Sequence, residues 1–121
     1  MPVRKILIVD DSATNRFSLT EMLTRHGYQV IAASGGEEAI AKCKSDKPDL
    51  VLMDVVMPGM DGYQATRAIT RDEETKHIPV IMVTSKTQQT DEIWGMRQGA
   101  KGYVTKPVEE KDLLAKITAV G

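Results

Sequence analysis

Three carboxylates, a hydroxyl pair and a lysine occupy matching places in this chain, each at the end of a short apolar run. Asp10-Asp11 follows Ile6-Leu7-Ile8-Val9, Asp54 follows Leu50-Val51-Leu52-Met53, Thr84-Ser85 follows Val80-Ile81-Met82-Val83, and Lys106-Pro107 follows Tyr103-Val104-Thr105. Apolar runs of this length between turn signals read as strands buried on both faces, the kind found in parallel sheets. In open α/β sheets ligands bind just beyond the carboxyl ends of the strands. The three carboxylates, the hydroxyl and the ammonium are therefore expected in one crevice. Clustered carboxylates repel one another unless a cation or a proton intervenes. The cluster offers hard oxygen ligands without histidine or thiol, which selects Mg²⁺ or Mn²⁺ over zinc. Mg²⁺ commonly binds through one or two carboxylates plus a phosphate oxygen, so a phosphoryl group completes the site. Lys106 and the Thr84 hydroxyl could hold its equatorial oxygens. A carboxylate can itself be the nucleophile, forming an aspartyl phosphate, and Asp54 on the middle strand is the best-placed candidate.

The elements that must position these residues follow from periodicity. Strands are expected at Lys5–Val9, Gln29–Ala33, Leu50–Asp54, Pro79–Thr84 and Gly102–Thr105. Helical patterns fall between and after them near Ala13–His26, Gly36–Lys44, Gly62–Arg71, Thr90–Gln98 and Glu109–Ala119. Ser12 is placed to cap the first helix, and Gly27 sits where a left-handed residue ends it. Ser34 with Glu37 resembles a capping box for the second helix. Leu113, Leu114 and Ile117 share one face of the last helix. Alternating β and α elements argue for a three-layer, doubly wound α/β sandwich with right-handed crossovers. The two most continuously apolar strands, the first and third, belong at the centre. The flavodoxin-like order 2-1-3-4-5 sets them side by side, which brings Asp10 and Asp11 next to Asp54.

Composition removes several function classes. The 121 residues suit one domain, and 41% hydrophobic with 27% charged residues suits a globular chain. A formal net charge of -1 provides no global basic field for nucleic acid or an anionic membrane. Apolar stretches of about five residues fall far short of the roughly 20 a membrane helix needs. Met1-Pro2-Val3-Arg4-Lys5 leads straight into a strand, so no signal peptide is expected. The single cysteine, Cys43, rules out an internal disulfide and suits a reducing cytosol, where it serves as a packing residue. His26 and His77 have no ligand partner nearby in sequence and receive no catalytic role. Singly, each motif has a commoner use: Asp10-Asp11 as a turn and cap, Thr84-Ser85 as a cap, Lys106 as a solvated loop lysine. Their joint occurrence carries the reading.

Asp10-Asp11, the stretch Asp54-Val55-Val56-Met57-Pro58-Gly59-Met60-Asp61-Gly62, Thr84-Ser85 and Lys106-Pro107 together resemble the signature of bacterial response-regulator receiver domains. The likeness covers essentially the whole chain, residues 1–121, read as a single receiver with no output domain and a (βα)5, CheY-like fold. It implies that Asp54 is the phosphoacceptor. Asp11, Asp54 and the backbone carbonyl of Val56 would ligate Mg²⁺, with Asp10 acting mostly through a metal-bound water. Lys106 would bridge to the phosphoryl oxygens, Thr84 would move to bond them, and Tyr103 would be the aromatic whose rotamer follows. A cis Lys106-Pro107 bond is also implied. The segment Glu92–Ala100, with Val80–Lys86, narrows the resemblance to stand-alone receivers of type IV pilus chemosensory systems.

The implied partners are a sensor histidine kinase as phosphodonor and a downstream protein. The binding face would include the helix near Thr90–Gln98, the fifth strand and the last helix, with Trp94, Lys101 and Tyr103. A cytoplasmic monomer is expected, binding no nucleic acid and inserting in no membrane. An Mg²⁺-dependent phosphatase with an aspartyl-phosphate intermediate is the enzyme alternative. Such enzymes place an acid two residues after the nucleophile, where this chain has Val56. A receiver cut from a longer regulator is the other alternative. A flavin module would place a phosphate against Asp10-Asp11, which repel it.

Overall fold

The computed structural model describes residues 3–85 and 96–120. Among these, the elements run β1 (Lys5–Val9), α1 (Ala13–Arg25), β2 (Gln29–Ala33), α2 (Gly36–Ser45), β3 (Leu50–Asp54), α3 (Gly62–Arg71), β4 (Val80–Ser85), β5 (Gly102–Lys106) and α4 (Glu110–Val120). The helix expected near Thr90–Gln98 lies largely outside the described residues, as do Lys86 and Trp94. The strands form one parallel sheet in the order β2-β1-β3-β4-β5, so β1 and β3 are neighbours.

Side-chain alternation along the strands divides the interior into two cores, one on each face of the sheet. Ile6, Ile8, Leu50, Leu52, Ile81, Val83 and Val104 pack on Leu19 and Leu23 of α1 and on Leu113 and Ile117 of α4. The intervening residues Leu7, Val9, Val51, Met53, Val80 and Met82 pack on α2 and α3 through Ala39, Cys43, Ala65 and Ile69. Every residue of β3 is buried, which is why its sequence reads as an unbroken apolar run ending in one charge. Each fully buried Leu or Ile contributes about 1.5–3 kcal/mol relative to exposure. Burial also pushes the Cys43 thiol up to about 11, so it stays an unreactive packing group.

Local signals set the joints. The Ser12 hydroxyl accepts from the Asn15 N–H at 3.2 Å and starts α1, and Gly27 ends the turn beyond it at φ +87°. The reading of Ser34 with Glu37 needs correcting. Gly35 is the N-cap of α2, which moves Glu38 to the third helical position. The Ser34 N–H and hydroxyl both donate to Glu38, at 2.8 and 3.0 Å, and Lys42 pairs with the same carboxylate at 3.2 Å. A capping box that sequence reading overlooked begins α3, where Asp61 accepts from the Gln64 N–H and Gln64 accepts from the Asp61 N–H. The fourth strand runs one residue later than expected. Pro79 has no N–H for the ladder and offers only its carbonyl, to Val51 N–H, whereas Ser85 pairs with Lys106.

Gly62 fixes how closely α3 approaches the sheet. Its N–H donates to the Val55 carbonyl at 2.9 Å, and a Cβ added there would lie 2.1 Å from the Asp54 carbonyl oxygen. The Asp54–Val55 backbone leaves such an atom no room. Gly62→Ala should therefore lower stability by about 1–3 kcal/mol, the usual cost of overpacking. Urea denaturation checks this, and an unchanged midpoint would mean that the loop yields freely.

Candidate functional site

Strand register decides which charges meet. Val9 pairs with Met53, so Asp10 comes level with Asp54 one step further along. Asp54 is level with Val83 and through it with Val104, which puts Lys106 two residues beyond that row and on the same face. The period of two thus directs Asp10, Asp54 and Lys106 to the α1–α4 side of the sheet. Thr84 and Tyr103 alternate to the other side, and Tyr103 packs against the α2–α3 core.

One carboxylate oxygen from each of Asp10, Asp11 and Asp54 lies within 4.8 Å of the other two. Asp10 and Asp54 are 2% and 5% exposed, whereas Asp11 faces solvent. The Lys106 ammonium donates to Asp54 Oδ1 at 2.9 Å and stands 3.4 Å from Asp10 Oδ2. Asp10 is held from its own loop as well. Its Oδ1 accepts from the Ser12 N–H at 2.9 Å and its Oδ2 from the Asn15 amide at 3.3 Å. The Arg16 guanidinium donates to the Asp10 carbonyl at 2.7 Å. The Lys106-Pro107 bond is cis.

Among the described residues, three carboxylates crowd around Lys106, with the Arg16 guanidinium held on the Asp10 carbonyl, and the crowding is felt at Asp54. Burial raises its carboxyl above the ordinary aspartate value. The bond from Lys106 opposes this, but the charges of Asp10 and Asp11 add to burial, and the net direction is up. Burial works against the Lys106 ammonium too. There its bond to Asp54 and the charges of Asp54 and Asp10 prevail, so Lys106 holds its proton more firmly than a free lysine. The donor set is three carboxylates, with no histidine or thiolate in the group, which fits a hard dication. A cation there would relieve the repulsion that the fold imposes.

The structure thus brings Asp10, Asp11, Asp54 and Lys106 together, as the sequence implied. Thr84 is buried, but among the described residues it makes no hydrogen bond to Asp54 or Lys106. Tyr103 is half-buried, with the Lys116 ammonium 5.8 Å from its ring centre. Lys101 is exposed just ahead of β5, and Val56 is 75% exposed beside Asp54. Trp94 and the Ser85 side chain lie outside the described residues. Sequence reading missed Asn15 and Arg16, which follow the cap at helical spacing and so return to the strand end. It placed Gly62 at the start of a helix without assigning it a packing role.

Residues 6–118 match the family model described as the response regulator receiver domain. The chain belongs to that family. As a receiver it is a signalling switch and not a classical enzyme, and its acidic triad is typical of a receiver Mg²⁺ site. It is 57% identical to the protein PilH of Pseudomonas aeruginosa over 116 residues, 96% of each chain. It is 39% identical to the response regulator PleD of Caulobacter vibrioides, covering 26% of that longer protein. Two solved structures share the CheY-like fold at 33% identity. A putative response regulator from Chloroflexus aurantiacus superposes with a TM-score of 0.93, covering 99% of this chain and 98% of that one. The chemotaxis protein CheY4 of Vibrio cholerae superposes with a TM-score of 0.91, covering 98% and 99%.

The crowded site has a consequence for stability in the metal-free receiver. Because the folded-state value of Asp54 is raised, the native state binds more protons than the unfolded chain between the ordinary aspartate value and the raised one. Stability is therefore lost as pH rises through that window and stays reduced above it. Asp54→Asn removes the charge and should melt higher than the wild type at neutral pH. The advantage should shrink toward pH 3. Thermal melts in a chelator across that range test this, and a lower melting point for Asp54→Asn at pH 7 would contradict it.

Proposed function

We propose that this receiver accepts a phosphoryl group on Asp54 from the phosphohistidine of a sensor histidine kinase and relays the change to a protein partner. The reading rests above all on the Asp54 carboxylate, which is 2.9 Å from Lys106 and clustered with two further carboxylates at the carboxyl edge of the sheet. An Asp54 oxygen attacks phosphorus as the phosphorus–nitrogen bond breaks, and the donor imidazole leaves with the electron pair. Lys106 offsets the negative charge gathering on the transferring group, and Asp10 keeps the lysine in position. Asp11, Asp54 and the carbonyl of Val56 would hold Mg²⁺ (or Mn²⁺), supported by Asp10. When bound, the ion would neutralise the carboxylates and favour the arriving phosphoryl oxygens. A cleft of about 460 Å³ beside the site has Asp10 and Lys106 at its polar end and Leu19, Met22, Val83 and Val108 along its walls. That lining suits an uncharged ring carrying a phosphoryl group.

Thr84 and Tyr103 form the readout in this proposal. The two residues share the face opposite the Asp54 side chain, so an oxygen that draws the Thr84 hydroxyl toward the site would act on the face against which Tyr103 packs. The output is a protein-binding surface that includes Lys101 and Tyr103, with Trp94 added from its place in the sequence. The likeness to PilH along nearly the full length of both chains supports a pilus-motility or chemotaxis-like pathway. It joins the resemblance carried by Glu92–Ala100 to receivers of pilus chemosensory systems. A cytoplasmic, monomeric, single-domain receiver is the form proposed. Among the described residues no helix is long and apolar enough to cross a membrane.

Incubation with a small acyl-phosphate donor and Mg²⁺, followed by intact-mass analysis, should give a single phosphoryl adduct on the wild type. Asp54→Asn, or removal of Mg²⁺ with a chelator, should abolish it. A full adduct on Asp54→Asn would refute the assignment.

Val56 bears on how long the adduct lasts. Its exposed side chain stands two residues after Asp54 and can neither donate to nor accept from an attacking water. Phosphoryl decay should be several-fold faster in Val56→Asn than in the wild type, followed by intact mass after donor removal. Equal rates would leave Val56 without this role.

A further inference from the structure

At the amino edge of the sheet, opposite the acidic crevice, five basic side chains line one recess of about 300 Å³. Arg71 comes from the last turn of α3, Lys76 and His77 from the loop ahead of β4, and Arg97 and Lys101 from the segment leading into β5. All five are exposed. The remaining lining is neutral among the described residues, including Thr70, Ile78 and Pro79, with no carboxylate among them. Among the described residues the one ion pair these cations make is Lys76 with Glu73, at 2.9 Å on an exposed helical-spaced pair. Nearby Asp72 is engaged elsewhere, with Lys44 at 3.1 Å.

Four permanent positive charges around one small recess are unexpected in a chain of net charge -1. Basic residues at helix ends commonly answer the negative end of the helix dipole, and that accounts for Arg71. It does not account for Lys76, His77 and Lys101, which belong to connecting loops. The Lys101 N–H donates to the Val80 carbonyl at 2.8 Å, which ties that loop to the sheet edge. Gly99, at φ +104°, lets the chain pass so close to Thr70 that an added Cβ would meet its hydroxyl at 2.7 Å. The Thr70 hydroxyl in turn donates to the Gln98 carbonyl at 2.8 Å. The backbone on which Arg71, Arg97 and Lys101 stand is thereby fixed, while their heads are left to solvent.

We infer that this recess binds a compact phosphate-bearing anion, the diphosphate group of a nucleotide or free pyrophosphate. Two guanidinium groups can each grip a phosphate by paired N–H donors, and the lysines supply point charges around them. The cations share one recess of about 300 Å³, a size that favours a small polyanion over an extended nucleic acid or peptide. Parallel strands put this recess and Asp54 at opposite ends of the sheet, so occupancy of one does not obstruct the other.

The test is an amide NMR titration of the full chain with sodium pyrophosphate, in chelator and at constant ionic strength. Saturable shifts are expected at Lys76, His77, Gly99 and Lys101, with Asp10 and Asp54 unmoved. Arg71→Gln with Lys101→Gln should weaken binding at least tenfold, and each single change severalfold, on a spectrum otherwise unchanged. Asp54→Asn should bind as the wild type does, which separates this site from the phosphorylation reading. Adenosine or guanosine diphosphate binding more tightly than pyrophosphate would identify a nucleotide, and equal binding would identify the free anion. No saturable shift, an equal response to sulfate, undiminished binding by the Arg71 and Lys101 variants, or binding of only an acidic peptide would each overturn the inference.

Discussion

The crowding of Asp10, Asp11 and Asp54 at the ends of β1 and β3 is the constraint on which the rest of the receiver depends. Carboxylates in water would separate, and here they cannot. Each is fixed by a strand whose hydrophobic rungs leave one register, and slipping it by a single residue would turn every apolar side chain to the wrong face. The energy of the two cores thus holds charges at distances they would not choose. Lys106 offsets part of the repulsion through its contacts with Asp54 and Asp10, and the loop donors Ser12 and Asn15 share the rest of Asp10. A net negative charge remains. It gives the site its appetite for a cation and makes an electrophilic phosphoryl group, once its charge is shielded, a natural occupant.

In the proposed function, the two-faced sheet would separate reaction from readout. Asp54 and Lys106 project toward α1 and α4, while Thr84 and Tyr103 lie on the face of α2 and α3. A group bonded to Asp54, as proposed, would draw on Thr84 from across the strand edge and so act on the packing of the opposite layer. Gly62 adds a second link, since α3 begins against the Asp54 carbonyl itself. Densely packed layers do not deform smoothly, and a small displacement at the crevice is resolved as a choice between two packings.

Near-neutral net charge conceals a strong segregation. The carboxyl edge of the sheet gathers acidic groups, and the amino edge of β4 and β5 gathers basic ones around a recess. Between them lies the apolar core of the sheet. Net charge carried no information about this polarity, because each pole gathers residues from separate segments of the chain.

Much of the fold was legible in the chain itself. Unbroken apolar runs marked β1, β3 and β4 because both faces of these inner strands are buried, and Ser12 and Gly27 marked the limits of α1 because only certain residue types satisfy a helix end. The acidic positions stood out because a carboxylate directly after a buried strand is costly to keep charged unless a partner meets it there. What stayed hidden depended on which atoms meet. Glu37 and Glu38 are indistinguishable by type, and only the start of α2 at Gly35 selects Glu38 as the partner of Ser34. Nothing in the spacing of Arg71, Lys76, His77, Arg97 and Lys101 shows that they share a recess. The sequence by itself determined the elements, their order and the residue types at the strand ends, since those follow from local periodicity and burial. Tertiary structure alone decided the balance of charge at Asp54 and the division of Thr84 and Tyr103 from it, because both arise from register between strands that meet only when the chain is folded.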